Sequence, residues 1–198
     1  MPRLSEDARQ ERRRRLLEAA WRCVARRGYR DVTVDDVCAE AGVSKGAFYV
    51  YFENKQDLLL ALLDDDSAEV DRRIARLEGE QLTPSERLHR FTRWMLERGA
   101  DPAQAQLRGD LWAAVVTEER VRTRLSEAIE RRRGHLQEWI EEGALEGALQ
   151  NLPARALASV LLALGDGLTL HAALDASAFR WTRVGYAVGA LLTGLERG

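Results

Sequence analysis

Apolar residues recur at helical spacing along the chain, and no stretch alternates in the manner of a strand. From about Asp7 to Arg27, Leu16, Ala20, Cys23 and Val24 share one face of a first helix. Thr33, with Asp36 three residues on, has the form of a capping box that starts a short second helix. Val34, Val37, Cys38 and Ala41 give that helix one buried face, and Gly42 ends it where a left-handed residue is wanted. Val43 plugs the turn. Ser44 caps a third helix whose apolar positions Ala47, Phe48 and Phe52 point inward, leaving Lys45, Gly46, Tyr49, Val50 and Tyr51 outside or near it.

Beyond this the chain is punctuated helix. Asn54 caps a fourth helix, with Asp57 at its third position, and the run Leu58 to Leu63 is too apolar to be covered on one side only. It has the character of a connector between two lobes. Thr83-Pro84-Ser85-Glu86 is a capping box with proline at the first helical position, and Asp101-Pro102-Ala103-Gln104 repeats the device. Another helix opens at Thr117-Glu118-Glu119 and is expected to run to about Glu142, before Gly143. Pro153 starts one carrying Leu157, Val160, Leu161, Leu164, Leu168 and Leu174, and the last runs from about Phe179 to Glu196. The expected fold is all-α with about nine helices, without repeats or low-complexity segments. Residues 1–53 would form a helix-turn-helix lobe, and residues 54–198 a helical ligand-binding and dimerisation lobe.

Charge sharpens this picture. The net charge is −2 over 198 residues, yet residues 1–30 hold ten arginines against Glu6, Asp7, Glu11 and Glu18. A basic first lobe and an acidic remainder fit a protein that presents one end to nucleic acid. The run Arg12 to Arg15, preceded by Arg3 and Arg9, is either a solvated helix start or an arm on backbone phosphates, and both readings can hold together. Lys45 and Lys55 are the only lysines, and both lie in the helix-turn-helix segment. Cys23 and Cys38 fall on buried faces without metal-ligand spacing and read as small hydrophobes, with a redox role as the alternative. The start Met-Pro-Arg-Leu-Ser-Glu has no secretory apolar core, and no apolar run approaches the roughly 18–20 residues of a membrane span. A cytoplasmic protein with no membrane partner is expected.

The ordered set Arg27-Gly28-Tyr29, Thr33, Val37-Cys38, Ala41-Gly42-Val43-Ser44-Lys45-Gly46, Phe48-Tyr49, Tyr51-Phe52, Lys55 and Leu58 resembles the DNA-binding domain of the TetR family of bacterial transcription regulators. Cys38 stands where that family usually has alanine, and Tyr51 where histidine is common. The resemblance implies that Lys45, Gly46, Ala47, Tyr49 and Val50 approach bases and sugar-phosphate. Thr33, Tyr51 and Lys55 would hold phosphates, and Ser44 caps the reading helix. That face lacks the Asn, Gln or Arg best suited to bidentate base pairing; Lys45 can still meet guanine, and Ala47 or Val50 a thymine methyl.

The resemblance also implies a double-stranded DNA operator, a homodimer and a small-molecule effector. For a two-fold reader, half-sites stand about 34–36 Å apart or a multiple of it. Gly185, Gly189 and Thr193 at spacing four form a stripe of small residues near the end of the chain, and each helical glycine costs roughly 1 kcal/mol against alanine unless close packing offsets it. With Leu157, Leu161, Val188 and Leu192 the stripe is the expected dimer surface, intramolecular packing being the alternative. Phe91, Trp94, Met95, Leu111, Trp112, Val115, His135, Trp139, Asp166 and His171 are the candidate effector pocket, against the plainer reading that most are core. No arrangement of nucleophile and base, metal-ligand cluster or phosphate-binding glycine loop is present, so neither an enzyme nor a metal or cofactor is expected. The rival readings are a helical regulator or interaction module without a small-molecule effector.

Overall fold

The computed structural model describes residues 6–149, 152–175, 177 and 179–196. Arg3, the outermost of the N-terminal arginines, lies outside them. Among the described residues there are nine helices and no strand: α1 Glu6–Arg27, α2 Val34–Ala41, α3 Lys45–Tyr49, α4 Lys55–Gly79, α5 Pro84–Gly99, α6 Pro102–Thr117, α7 Glu119–Leu145, α8 Ala154–Leu174 and α9 Trp181–Glu196.

The helix starts follow the caps. Thr33 accepts from the Asp36 backbone N–H, while the Asp36 carboxylate accepts from Thr33 N at 2.9 Å. Thr83 and Glu86 repeat the box at α5, and Asn54 and Asp101 cap α4 and α6. Gly42, at φ 66°, makes the left-handed turn that ends α2.

Two ends differ from the sequence reading. α7 runs through Gly143 to Leu145, with Gly143 buried beside Leu149 and Pro84; the turn comes at Gly147, φ 94°. α9 begins at Trp181, two positions after Phe179.

Two hydrophobic cores result. The first joins Leu16, Ala20, Cys23 and Val24 of α1, Val37 of α2, Phe48 and Phe52 around α3, and Leu58 to Leu63 of α4. It also takes Leu107 and Leu111 from α6 and Val121 from α7. The second joins Val70, Ile74 and Leu77 of α4 to Leu88, Phe91, Leu136, Trp139, Ile140, Ala158 and Leu192. α4 therefore carries side chains into both cores, as its apolar start predicts.

α8 bears on the membrane expectation. Its 21 residues are long and apolar enough to cross a bilayer by length and composition, with a mean hydropathy of 1.6. It packs against α5, α6 and α7 and carries the partly buried Asp166, ion-paired to Arg108, which is the arrangement of a lobe helix.

Candidate nucleic-acid interface

The reading element is built around Phe48. This side chain is fully buried, stacks at 5.3 Å on Phe52, and anchors a helix of only five residues. Ser44 starts it by accepting from the Ala47 N–H at 3.2 Å, and Val50 closes it in right-handed geometry. The reader is thus one helical turn, Lys45 to Tyr49, with Val50 and Tyr51 on the turn after it. Because Phe48 points inward, its neighbour Tyr49 must point out; Tyr49 is 51% and Val50 60% exposed. Tyr49 packs edge-on against Phe48 at 5.5 Å and keeps its outer side in solvent.

The other candidates surround this face. Lys45 and Gly46 are exposed, Ala47 and Tyr51 half-buried. Lys45 reaches back to Asp35 of α2 at 2.9 Å, and that hydrogen bond raises its pKa. Thr33 is exposed at the start of α2 with its hydroxyl held by Asp36 at 2.7 Å. Lys55 is placed differently: its ammonium donates to the Arg30 carbonyl at 2.8 Å and lies 4.6 Å over the Tyr29 ring. Burial lowers its pKa, with Asp110 and Asp31 acting in the opposite direction. Lys55 therefore ties the loop after α1 to the start of α4, whatever else it meets.

The arginine run divides by helical phase. Arg14 pairs with Glu11 and Glu18 along α1, and Arg13 lies 5.7 Å over the Phe52 ring. Arg12 and Arg15 line a groove of about 290 Å³ with Gly42, Val43, Ser44 and Ala47, beside the start of α3. Arg22 and Arg26 are held by Glu40, which locks α1 to α2.

The second lobe does not bring the ten pocket candidates together. Phe91, Trp94 and Trp139 form an aromatic cluster, with Phe91 at 6.1 Å from Trp94 and 5.9 Å from Trp139. Phe91 and Met95 line a closed slot between α5, α7, α8 and α9 with room for about 10 Å³. Leu111 and Val115 belong instead to the first core, because α6 docks against α1 there. Trp112 is 40% exposed, and His171 is exposed. His135 sits at the surface, 3.0 Å from Glu78. Asp166 is engaged by Arg108. A cleft of about 920 Å³ lies between α5 and α9 and is lined by none of the ten; His89, Glu97, Trp181, Tyr186 and Gly189 are among its walls.

The dimer candidates also split. Val188 and Leu192 are buried within their own subunit, and Leu157 and Leu161 pack partly against the second core. Gly185, Gly189 and Thr193 line the α5–α9 cleft, and nothing lies within 4 Å of a side chain built on either glycine. The exposed large apolar residues of α9 lie on two sides: Tyr186 beside the glycines of the cleft, and Leu191 with Leu195 away from it, while α8 adds Val160 at 59% exposure. The pair Leu191 and Leu195, four apart, could have been read from helical spacing; the small-residue stripe drew the reading to another side of the helix.

A capped two-helix unit with an exposed reading turn, basic α1 beside it and a separate helical lobe behind it defines a helix-turn-helix DNA-binding regulator. The family described as bacterial regulatory proteins, tetR family, matches residues 16–62, and the BetI-type transcriptional repressor C-terminal domain matches residues 84–195. The chain belongs to the TetR family of transcription regulators. It is 28% identical over 170 residues to the regulator PksA of Bacillus subtilis, covering 84% of this chain and 80% of that one. Shorter matches are 42% over 64 residues to TtgR of Pseudomonas putida, covering 32% of this chain and 30% of TtgR, and 39% over 54 residues to YuxN of Bacillus subtilis, covering 27% of this chain and 19% of YuxN. Among solved structures, a putative regulator from Saccharomonospora viridis in complex with choline superposes with a TM-score of 0.81 at 26% identity, covering 93% and 96% of the two chains. FadR of Bacillus subtilis in complex with stearoyl-CoA shares the fold, with a TM-score of 0.73 at 20% identity over 91% and 97%.

Proposed function

We propose that the chain is a homodimeric, cytoplasmic repressor that leaves a palindromic operator when a small molecule binds its second lobe. The observation that carries the DNA-binding part is the outward face of Tyr49 and Val50 on a turn fixed from behind by Phe48. Lys45, Gly46, Ala47, Tyr49 and Val50 meet the major groove, while Thr33, Ser44, Tyr51 and Lys55 meet the flanking backbone, with Arg12 and Arg15 beside them.

Pairing is assigned to the exposed apolar residues of α8 and α9, namely Val160, Leu191 and Leu195, with Tyr186 beside the glycine stripe of the α5–α9 cleft. Effector control rests on α4, which contributes to both cores, and on relatives whose structures hold choline or stearoyl-CoA. An effector preferring one lobe arrangement would shift operator affinity by about 1–3 kcal/mol, the usual range of such coupling. The closed slot of about 10 Å³ favours one alternative, a regulator that responds to no small molecule. Capturing genomic fragments on the purified protein, then repeating the capture against a metabolite library, tests both. Operator enrichment lost with one compound supports the repressor; enrichment that no compound alters supports the alternative.

A further inference from the structure

The reading turn meets different charges on its two sides. Ser44 and Ala47, three apart, share a groove with Arg12 and Arg15, a basic side suited to phosphate. Lys45 and Tyr49, four apart, share another side. There the ammonium of Lys45 stands 2.9 Å from both carboxylate oxygens of Asp35 on α2. These side chains are 55% and 70% exposed, so the pair is open to a duplex laid on this face. Asp35 is the second residue of α2, where any carboxylate gains from the helix dipole. The dipole does not explain why it holds the one cation of the reading turn. Its neighbour Asp36 is engaged by Thr33 and by Arg27, which leaves Asp35 to Lys45.

Each partner alone would be a poor reader. A bare carboxylate here would face a polyanion and oppose binding. A free lysine is a point charge on a flexible stem, satisfied by any phosphate. Together they change character. Asp35 fixes the ammonium in one place, so less side-chain freedom remains to be lost on binding. The outer lone pairs of its carboxylate can accept only from an N–H or O–H donor, and a phosphodiester has none. In the major groove such donors are cytosine N4 and adenine N6. The ammonium beside it needs acceptors, best met by guanine O6 and N7, and these adjoin cytosine N4 within one base pair.

We propose that Asp35 is a specificity-determining residue and that the Asp35–Lys45 pair selects a G·C base pair in each half-site. Lys45 donates to guanine O6 and N7, and Asp35 accepts from cytosine N4. Asp35 also holds Lys45 away from phosphates, lowering affinity for arbitrary sequence while raising discrimination. This rests on the DNA-binding reading of α3 and names one base pair which that reading leaves open.

The test is capture and sequencing of a randomised duplex library on the full-length parent, Asp35→Ala and Asp35→Asn, with anisotropy titrations against salt. The parent is expected to enrich G·C at one position of each half-site by about tenfold or more, the usual worth of a good base contact. Asp35→Ala should lose that enrichment and bind arbitrary duplex more tightly. Its salt slope should steepen by about one per subunit, as Lys45 turns to phosphate. Asp35→Asn, whose amide matches adenine N6 and N7, should move the preference at that position toward A·T. A merely structural role for the ion pair would change stability and leave base preference alone. Should Asp35→Ala not fold, Asp35→Asn, of the same shape, still decides through the altered base. A parent without G·C preference, or a preference that neither variant alters, overturns the proposal while DNA binding stands. A parent that binds no duplex in a salt-dependent manner overturns the DNA-binding reading and the proposal with it.

Discussion

Tyr29 and Lys55 hold each other from both ends: the Tyr29 hydroxyl donates to the Lys55 carbonyl at 2.5 Å, and the Lys55 ammonium lies 4.6 Å over the Tyr29 ring. The same segment is tied to the second lobe, since Tyr29 N donates to Asp110 of α6 at 2.7 Å and Gly28 abuts Gln106. The start of α4, the loop after α1 and α6 therefore meet at one junction.

Tyr29→Phe removes the partly buried hydrogen bond and keeps the ring. A loss of about 1 kcal/mol in urea unfolding is expected, the usual worth of such a bond. Operator affinity should change little when measured far from the unfolding midpoint. Lys55→Ala should differ: it weakens binding to all duplexes and lowers the slope of log affinity against log salt by about one if the ammonium also meets phosphate. An unchanged slope would confine Lys55 to the junction.

Adjacent residues of α3 should behave oppositely. Phe48→Ala empties the centre of the first core and should cost about 3–5 kcal/mol in unfolding free energy. Tyr49→Ala, on the exposed side, should stay within about 0.5 kcal/mol of the parent in melting experiments while abolishing the operator gel shift. A Tyr49→Ala protein that melts early would place the ring in the core.

The capping box of α2 sets an acid limit. Hydrogen bonds from the Thr33 side chain, then its backbone N–H, hold the Asp36 carboxyl below the ordinary carboxylate range, and Arg27 adds to this. A carboxyl with a depressed folded-state pKa stabilises above the unfolded value of about 3.9 and loses that contribution as pH falls through the folded value. The urea midpoint, followed by circular dichroism from pH 6 downward, should fall below about pH 4, with a shallower fall in Asp36→Asn. Identical acid limbs in the two proteins would remove the box from the account.

The pairing surface separates by face of α9. Tyr186→Asp or Leu191→Asp should shift the sedimentation coefficient from dimer to monomer with the helix content kept. Val188→Asp should unfold the lobe instead, because Val188 is 5% exposed in its own subunit. Dimers persisting in both outward variants would move the interface elsewhere.

What the sequence disclosed and what it hid divide along local and non-local causes. Thr33, Gly42, Ser44, Asn54, Thr83 and Asp101 act within a few residues of themselves, so the helix starts were readable. Phe48 against Tyr49 was readable too, from helical phase alone. The places of Leu111 and Val115 were not: both look like pocket residues until α6 is seen to dock on α1, a contact between segments some eighty residues apart in the pair Tyr29–Asp110. Arg98, Arg108 and Arg132 escaped for the same reason. Among 30 basic residues nothing local marks these three as buried, and only the meeting of α4, α5, α6, α7 and α8 does so.

The most direct measurement of the central claim is fluorescence anisotropy of a captured operator duplex with the parent protein and Tyr49→Ala across a series of salt concentrations. The account predicts that log affinity of the parent falls linearly with log salt, as phosphate-dominated binding does, and that Tyr49→Ala loses operator preference while its weak residual binding keeps a similar slope. Salt-independent binding by the parent, or an operator affinity that Tyr49→Ala leaves intact, would contradict it.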